Sequence, residues 1–262
     1  MENKIFTKDN KENVNIIFIY FLIAFFIICI IFAINQLNLL LKILNNYSNN
    51  LKLMIFATPA IIIMSIPFSV CIGFTHGLIK INILEKLTQN KNILRRIIII
   101  GIILSVIIFI ISDFILPKTT ENFSIIYRKT LIGEEIDNNT KKSPREMSSF
   151  EIINKLNKND LNKRMYNIYL TELNKKYSFA FNALVFTLLS LSLSILFQKH
   201  RLIAFVISVI SCFIYYYLLL TCQIFSMRIE NHAFLLMWVP NILFLIISFV
   251  LYKIKKIYYI IK

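Results

Sequence analysis

Hydrophobic and polar positions in this chain segregate into long blocks instead of alternating residue by residue. Six blocks rich in Ile, Leu and Phe run over 14–34, 53–79, 97–116, 179–197, 202–225 and 233–252. The hydrocarbon core of a bilayer is about 30 Å thick and a helix rises about 1.5 Å per residue, so roughly twenty apolar residues span it. Each block therefore predicts a transmembrane helix. The first is too long for the apolar region of a signal peptide and no small-residue cleavage site follows it, which makes it a retained anchor. The expected fold is an all-α integral membrane protein with six transmembrane helices (3+3) and a short, partly helical external segment between helices 3 and 4. Three regions follow: 1–116, 117–178 and 179–262. No internal repeat stands out, so inverted-repeat transporter architecture is not expected.

Composition agrees with the pattern. The chain is 57% hydrophobic, 16% charged and has a mean hydropathy of +0.68, against about 25% charged residues in soluble domains. The +15 net charge does not suggest nucleic acid, because Lys and Arg flank the apolar blocks and so set topology. Placing the N-terminus inside puts fourteen of the 29 Lys and Arg residues on the cytoplasmic side, including Lys80, Arg95, Arg96, Lys199 and Arg201. Only Lys42, Lys52 and Arg228 then lie in short outer loops. The positive-inside rule makes both termini cytoplasmic and puts 117–178 on the far side.

Within that segment, 117–145 reads as irregular, with Pro117, Gly133, Pro144 and the acids Glu134, Glu135 and Asp137. Ser148 followed by Glu151 is a capping-box signature, after which Phe150, Ile153 and Leu156 share a helical face. Asp160 can cap a second helix in which Leu161, Met165, Ile168 and Tyr169 recur, and which runs on through Lys175 and Lys176 into the fourth span. This amphipathic stretch suits the bilayer surface, a partner, or the chain's own loops.

Self-contained chemistry is not expected. Cys29, Cys71, Cys212 and Cys222 sit inside spans without a C-x-x-C pair and read as packing residues. His76, His200 and His232 are isolated, and neither a phosphate-binding P-loop nor a G-x-S-x-G elbow is present. No catalytic or metal-binding set is assigned, and no cofactor. Asp113, near the end of the third block, is expected to be an interfacial carboxylate touching water. The absence of other charges within the blocks argues against ion-driven transport. Thr58, Ser65, Ser69, Asn182 and Gln223 are expected to bond between helices.

The second block is the most detailed. Pro59 and Pro67 should kink it or end its turns, and Gly73 with Gly77 forms a small-x-x-x-small pair that permits close helix approach. Between Lys80 and Arg96, Ile83, Leu84, Leu87, Ile93 and Leu94 interleave with charges, which fits a short cytoplasmic helix near 81–94 or a plain solvated connector.

These features, in this order, resemble the LptF/LptG permease family of six-span half-transporters. Asn35, Gln36 and Leu37 resemble the family's D-Q-L, and Gly73–Gly77 with the following helix and Arg95-Arg96 resembles its second span and coupling helix. Asp113 and Pro117, with Tyr127 and Arg128 after them, resemble its acidic-x-x-x-P motif. Met147-Ser148 and Lys176 resemble its return to the membrane. Trp238, Pro240 and Asn241 match its W-x-P-N, the most specific element. The chain departs in having Asn82 where the family usually has Glu, Gln89-Asn90 for S-G, and Ala180 for a proline. Asn90 can adopt the left-handed turn that the Gly would make. The stretch between Arg128 and Met147 cannot hold the family's jelly roll, which needs eight strands.

The resemblance implies a half-transporter subunit of an ATP-driven lipid or lipopolysaccharide exporter in the inner membrane. Its implied partners are a cytoplasmic ABC ATPase dimer, which would bind ATP and Mg, a paralogous six-span permease, a periplasmic jelly-roll relay protein and a membrane lipid substrate. Coupling to the ATPase would fall to Asn82, Ile83, Leu84, Glu85, Leu87 and Asn90. The lipid cavity would be lined by Phe25, Phe32, Ile62, Ile66 and Tyr216, and helix packing would use Gly73, Gly77, Trp238, Pro240 and Asn241. Two alternatives are a membrane-embedded lipid-modifying enzyme built on Asp113, Arg228, Glu230 and His232, and a non-transporting scaffold with the permease fold.

Overall fold

The computed structural model describes residues 2–43, 47–83, 85, 92–132, 142–158, 161–228 and 233–260. Helix α1 covers Glu2–Ile43. Helix α2 (Tyr47–Ser69), a π turn (Val70–Phe74) and α3 (Thr75–Lys80) follow as one rod. Helix α4 (Asn92–Ile110), a second π turn (Ile111–Ile115) and α5 (Leu116–Ile132) form another. A 3-10 turn (Pro144–Glu146) leads into α6 (Ser149–Asn157), α7 (Lys163–Leu196), α8 (Arg201–Arg228) and α9 (Ala233–Ile260). No strand occurs among the described residues. Among the described residues, six helical stretches are long and apolar enough to cross a membrane: Glu12–Leu41, Leu51–Lys80, Ile93–Thr130, Lys163–Leu196, Arg201–Arg228 and Phe234–Ile254. The protein is an all-α integral membrane protein.

Helix α7 is the central post. It packs along α9 and α4, and touches α8 and the π turn of the second span. Of its apolar window 78% is buried, against 11% for α1, which leans mainly on the second span. That lean needs glycine. A Cβ on Gly73 would lie 2.7 Å from the Phe21 Cα, and one on Gly77 would lie 2.9 Å from the Ile17 Cα. Both contacts are with backbone, which cannot rotate away.

Hydroxyls of the second span do not bond where expected. Ser65 donates to the Ile61 carbonyl, Ser69 to that of Ser65 and Thr58 to that of Ile55, all within their own helix. Hydrocarbon provides no competing partner, so a short side chain returns to the nearest carbonyl. Gln223 does bridge helices, donating to Glu172, whereas the Asn182 carbonyl oxygen has no protein partner.

The external segment departs most from its expected form. Residues 117–132 are helical, not irregular. Phe123, Ile126 and Tyr127 on α5 pack on Leu40, Leu53 and Met54, so contacts with the α1–α2 hairpin hold a polar helix together. The Ser148–Glu151 capping box forms. The buried face of α6, however, is Ile152 with Leu156, set against Met147, Tyr169 and Leu173, while Phe150 is 72% exposed. Asn162 caps α7 by accepting from the Met165 amide; Asp160, expected in that role, lies outside the described residues. Helix α7 then runs unbroken through Lys175 and Lys176.

Candidate functional site

Three constellations join elements distant in sequence. The first is an aromatic seam in the middle of the bundle. Phe32 of α1 meets Phe68 of α2 edge to face, with centroids 5.7 Å apart, and Phe68 meets Tyr216 of α8 at 6.2 Å. The Tyr216 hydroxyl lies 4.0 Å from the Met64 sulfur. Of the expected cavity residues, Phe32 and Tyr216 thus converge. Phe25 stacks on Phe21 along α1, and Ile62 is half-buried against the core. Ile66 is buried at 5% exposure: it belongs to the core and not to a cavity wall, because its side of α2 is covered. Phe68 is the hinge of the seam and sequence reasoning missed it. Its signal was its place four residues after Met64, on one helical face.

The second is a polar clasp at the α6 end. Asp113 sits in the second π turn, a local widening of the kind that recurs at functional positions. Its Oδ1 accepts from the Ser149 amide at 2.7 Å and from the Lys176 ammonium at 3.1 Å. Lys176 also donates to the Met147 carbonyl at 2.6 Å. The water-exposed Asp113 expected from sequence is therefore corrected. Asp113 and Lys176 are both buried, because each supplies the other's counter-charge and the 147–149 backbone satisfies what is left. One helical turn away, Glu172 accepts from Arg145 at 3.2 Å and Gln223 at 3.5 Å. Lys175 lies 3.7 Å from its other oxygen, and Thr171 bonds Ser226 at 2.6 Å. These bonds fasten residues 145–149 to the third and fourth spans, and Thr171 and Glu172 tie the fourth to the end of the fifth.

At the same end, Asn241 donates to the Ser178 carbonyl and hydroxyl and accepts from the Tyr215 hydroxyl at 2.7 Å. Ser178 in turn donates to the Met237 carbonyl. Pro240 has no amide hydrogen to continue the ladder, and this network locks α7, α8 and α9 around it. Trp238 packs on Phe181 at 5.7 Å, with its indole N–H buried and unpartnered by protein.

The third constellation lies at the opposite end. Asn82 has φ of 53°, left-handed backbone that Asn tolerates better than most residues. Its amide donates to the Ile79 carbonyl and its carbonyl accepts from Glu85. Asn82 and Glu85 are exposed, while Ile81, Ile83 and Ile93 are buried. Among the described residues of the 81–94 segment, the left-handed turn falls at Asn82; Leu84, Leu87 and Asn90 lie outside them. Near this end, Val14 and Asn15 of α1 and Arg96, Ile99 and Ile100 of α4 line an open groove of about 320 Å³.

No three-member cluster of His, Cys, Asp and Glu that could hold a metal occurs among the described residues. Of the residues considered for an enzyme, Asp113 is held in the clasp and Arg228 is exposed; Glu230 and His232 lie outside the described residues. Comparison with curated proteins returned no match. Residues 134–254 match the family model described as lipopolysaccharide export system permease LptF/LptG. The matched region takes in the clasp residues from Arg145 to Lys176, the central post and the Ser178–Asn241 lock. Over those residues the chain is similar to the LptF/LptG permease family, and the six apolar helices among the described residues agree with that similarity.

Proposed function

We propose that the protein is one half of an ATP-driven exporter that lifts lipopolysaccharide or a related lipid out of the inner membrane. The observation that carries this reading is the family match over 134–254. Both termini and the Asn82 turn face the cytoplasm, and α5, α6 and the start of α7 face outward. The aromatic seam of Phe32, Phe68 and Tyr216 lines the acyl-chain path between the first, second and fifth spans. Apolar walls solvate acyl chains as well as the bilayer does, so entry costs little. Moving a chain of a dozen carbons toward water costs roughly 10 kcal/mol at about 0.8 kcal/mol per methylene, and this is the step that ATP must drive. A separate ATPase dimer, which holds ATP and Mg, pushes on the segment after Lys80, where Asn82 and Glu85 are exposed.

A paralogous six-span permease supplies the other half. Residues 133–141 are too few for eight strands, so a jelly-roll relay must come from another chain. The test is purification of the tagged protein from native membranes in mild detergent, with mass spectrometry of its stoichiometric partners. Recovery of a P-loop ATPase and a second six-span permease is the expected result. Recovery of the protein alone, under conditions that preserve a known membrane complex, would overturn the reading.

A further inference from the structure

The groove between α1 and α4 belongs to none of the sites above. Its walls are Val14, Ile99 and Ile100, and its polar groups are the half-buried Arg96 and the exposed amide of Asn15. Among the described residues no carboxylate pairs with Arg96. A guanidinium held half out of water without a counter-ion is an electrostatic demand for an anion, and its planar fork of donors suits a phosphate. Depth narrows the choice of anion. Arg96 immediately precedes the apolar run of the third span, which places it at headgroup level, and Ile99, Ile102 and Ile103 continue from it as exposed apolar surface. An occupant that puts a phosphate on Arg96 therefore has alkyl surface directly beneath it.

We propose that this groove binds an anionic phospholipid of the adjacent leaflet. Its phosphate is bridged by Arg96 and the Asn15 amide, and one acyl chain lies against Val14, Ile99 and Ile100. Basic pockets between transmembrane helices commonly take such headgroups. The lipid fills the gap between the first and third spans close to the Ile17–Gly77 contact, and so acts as a resident ligand and not as exported cargo.

Native mass spectrometry of the delipidated, detergent-purified protein tests this with phosphatidylglycerol, phosphatidylcholine and inorganic phosphate as probes. Phosphatidylglycerol should be retained over phosphatidylcholine, and Arg96→Gln should lower its retention about five-fold. Arg95→Gln, which removes an exposed charge outside the groove, should not. Val14→Trp keeps the charge but fills the groove, and should lose retention as well, which guards against misfolding of a single variant. Equal retention of the two lipids, or an equal effect at Arg95 and Arg96, would reduce the site to diffuse basic attraction and overturn the proposal. Displacement of the lipid by millimolar phosphate would identify a free-phosphate site and overturn it too.

Discussion

Asn82 illustrates how backbone geometry constrains chemistry at a single residue. The family resemblance places Glu at this position, and restoring it would look like repairing a contact. At φ of 53°, however, a longer side chain pays about 1–2 kcal/mol for the left-handed conformation, which Asn relieves through its short polar group and Gly avoids altogether. Asn82→Gly should therefore leave the thermal midpoint in detergent essentially unchanged. Asn82→Glu should lower it, and should not strengthen ATPase association unless the turn itself refolds. Equal midpoints for the two variants would show that the turn is not under this constraint. Such a residue is hard to place from sequence, because Asn90 is equally able to turn left-handed. What selects Asn82 is the end of α3, where the Ile81 and Asn82 amides close the last turn on Gly77 and Ile79.

At the scale of elements, the six spans were legible because apolar length is a one-dimensional signal that needs no partner. The α5 extension was not, since Lys118–Glu121 reads as loop and its helix depends on Phe123, Ile126 and Tyr127 meeting residues far away in sequence. The clasp was illegible for the same reason. Asp113 and Lys176 are 63 residues apart, and each alone looks like a charge at a membrane surface. As a buried pair it predicts an asymmetry. Asp113→Asn or Lys176→Met leaves one partner uncompensated and should cost about 3–5 kcal/mol, whereas the double variant that carries both substitutions should cost less than the sum. Thermal unfolding of the four proteins in one detergent completes the double-mutant cycle. Additive losses would mean that the pair is not coupled, and that the 147–149 backbone bonds alone hold α6 in place.

For the whole molecule, function turns on which end faces the cytoplasm, because an ATPase can reach Asn82 or the clasp but not both. Lys and Arg counts favour the Asn82 end inside, and the aromatic seam lies between the two ends. The native cysteines Cys29, Cys71, Cys212 and Cys222 all lie within spans, so a cysteine added at an exposed surface should report against a low background. Lys158 follows α6 and Lys199 lies between α7 and α8, and both are exposed. Lys158→Cys should react with a membrane-impermeant maleimide in cells whose outer membrane has been made permeable. Lys199→Cys should react only after lysis. The reverse pattern would place α6 in the cytoplasm and Asn82 outside. The ATPase would then have to grip the clasp end, where residues 145–149 are fastened to the third and fourth spans by the bonds of Asp113, Glu172 and Lys176. Power would enter through α6 and the Asp113–Lys176 pair, and the Asn82 turn would lose its assigned role.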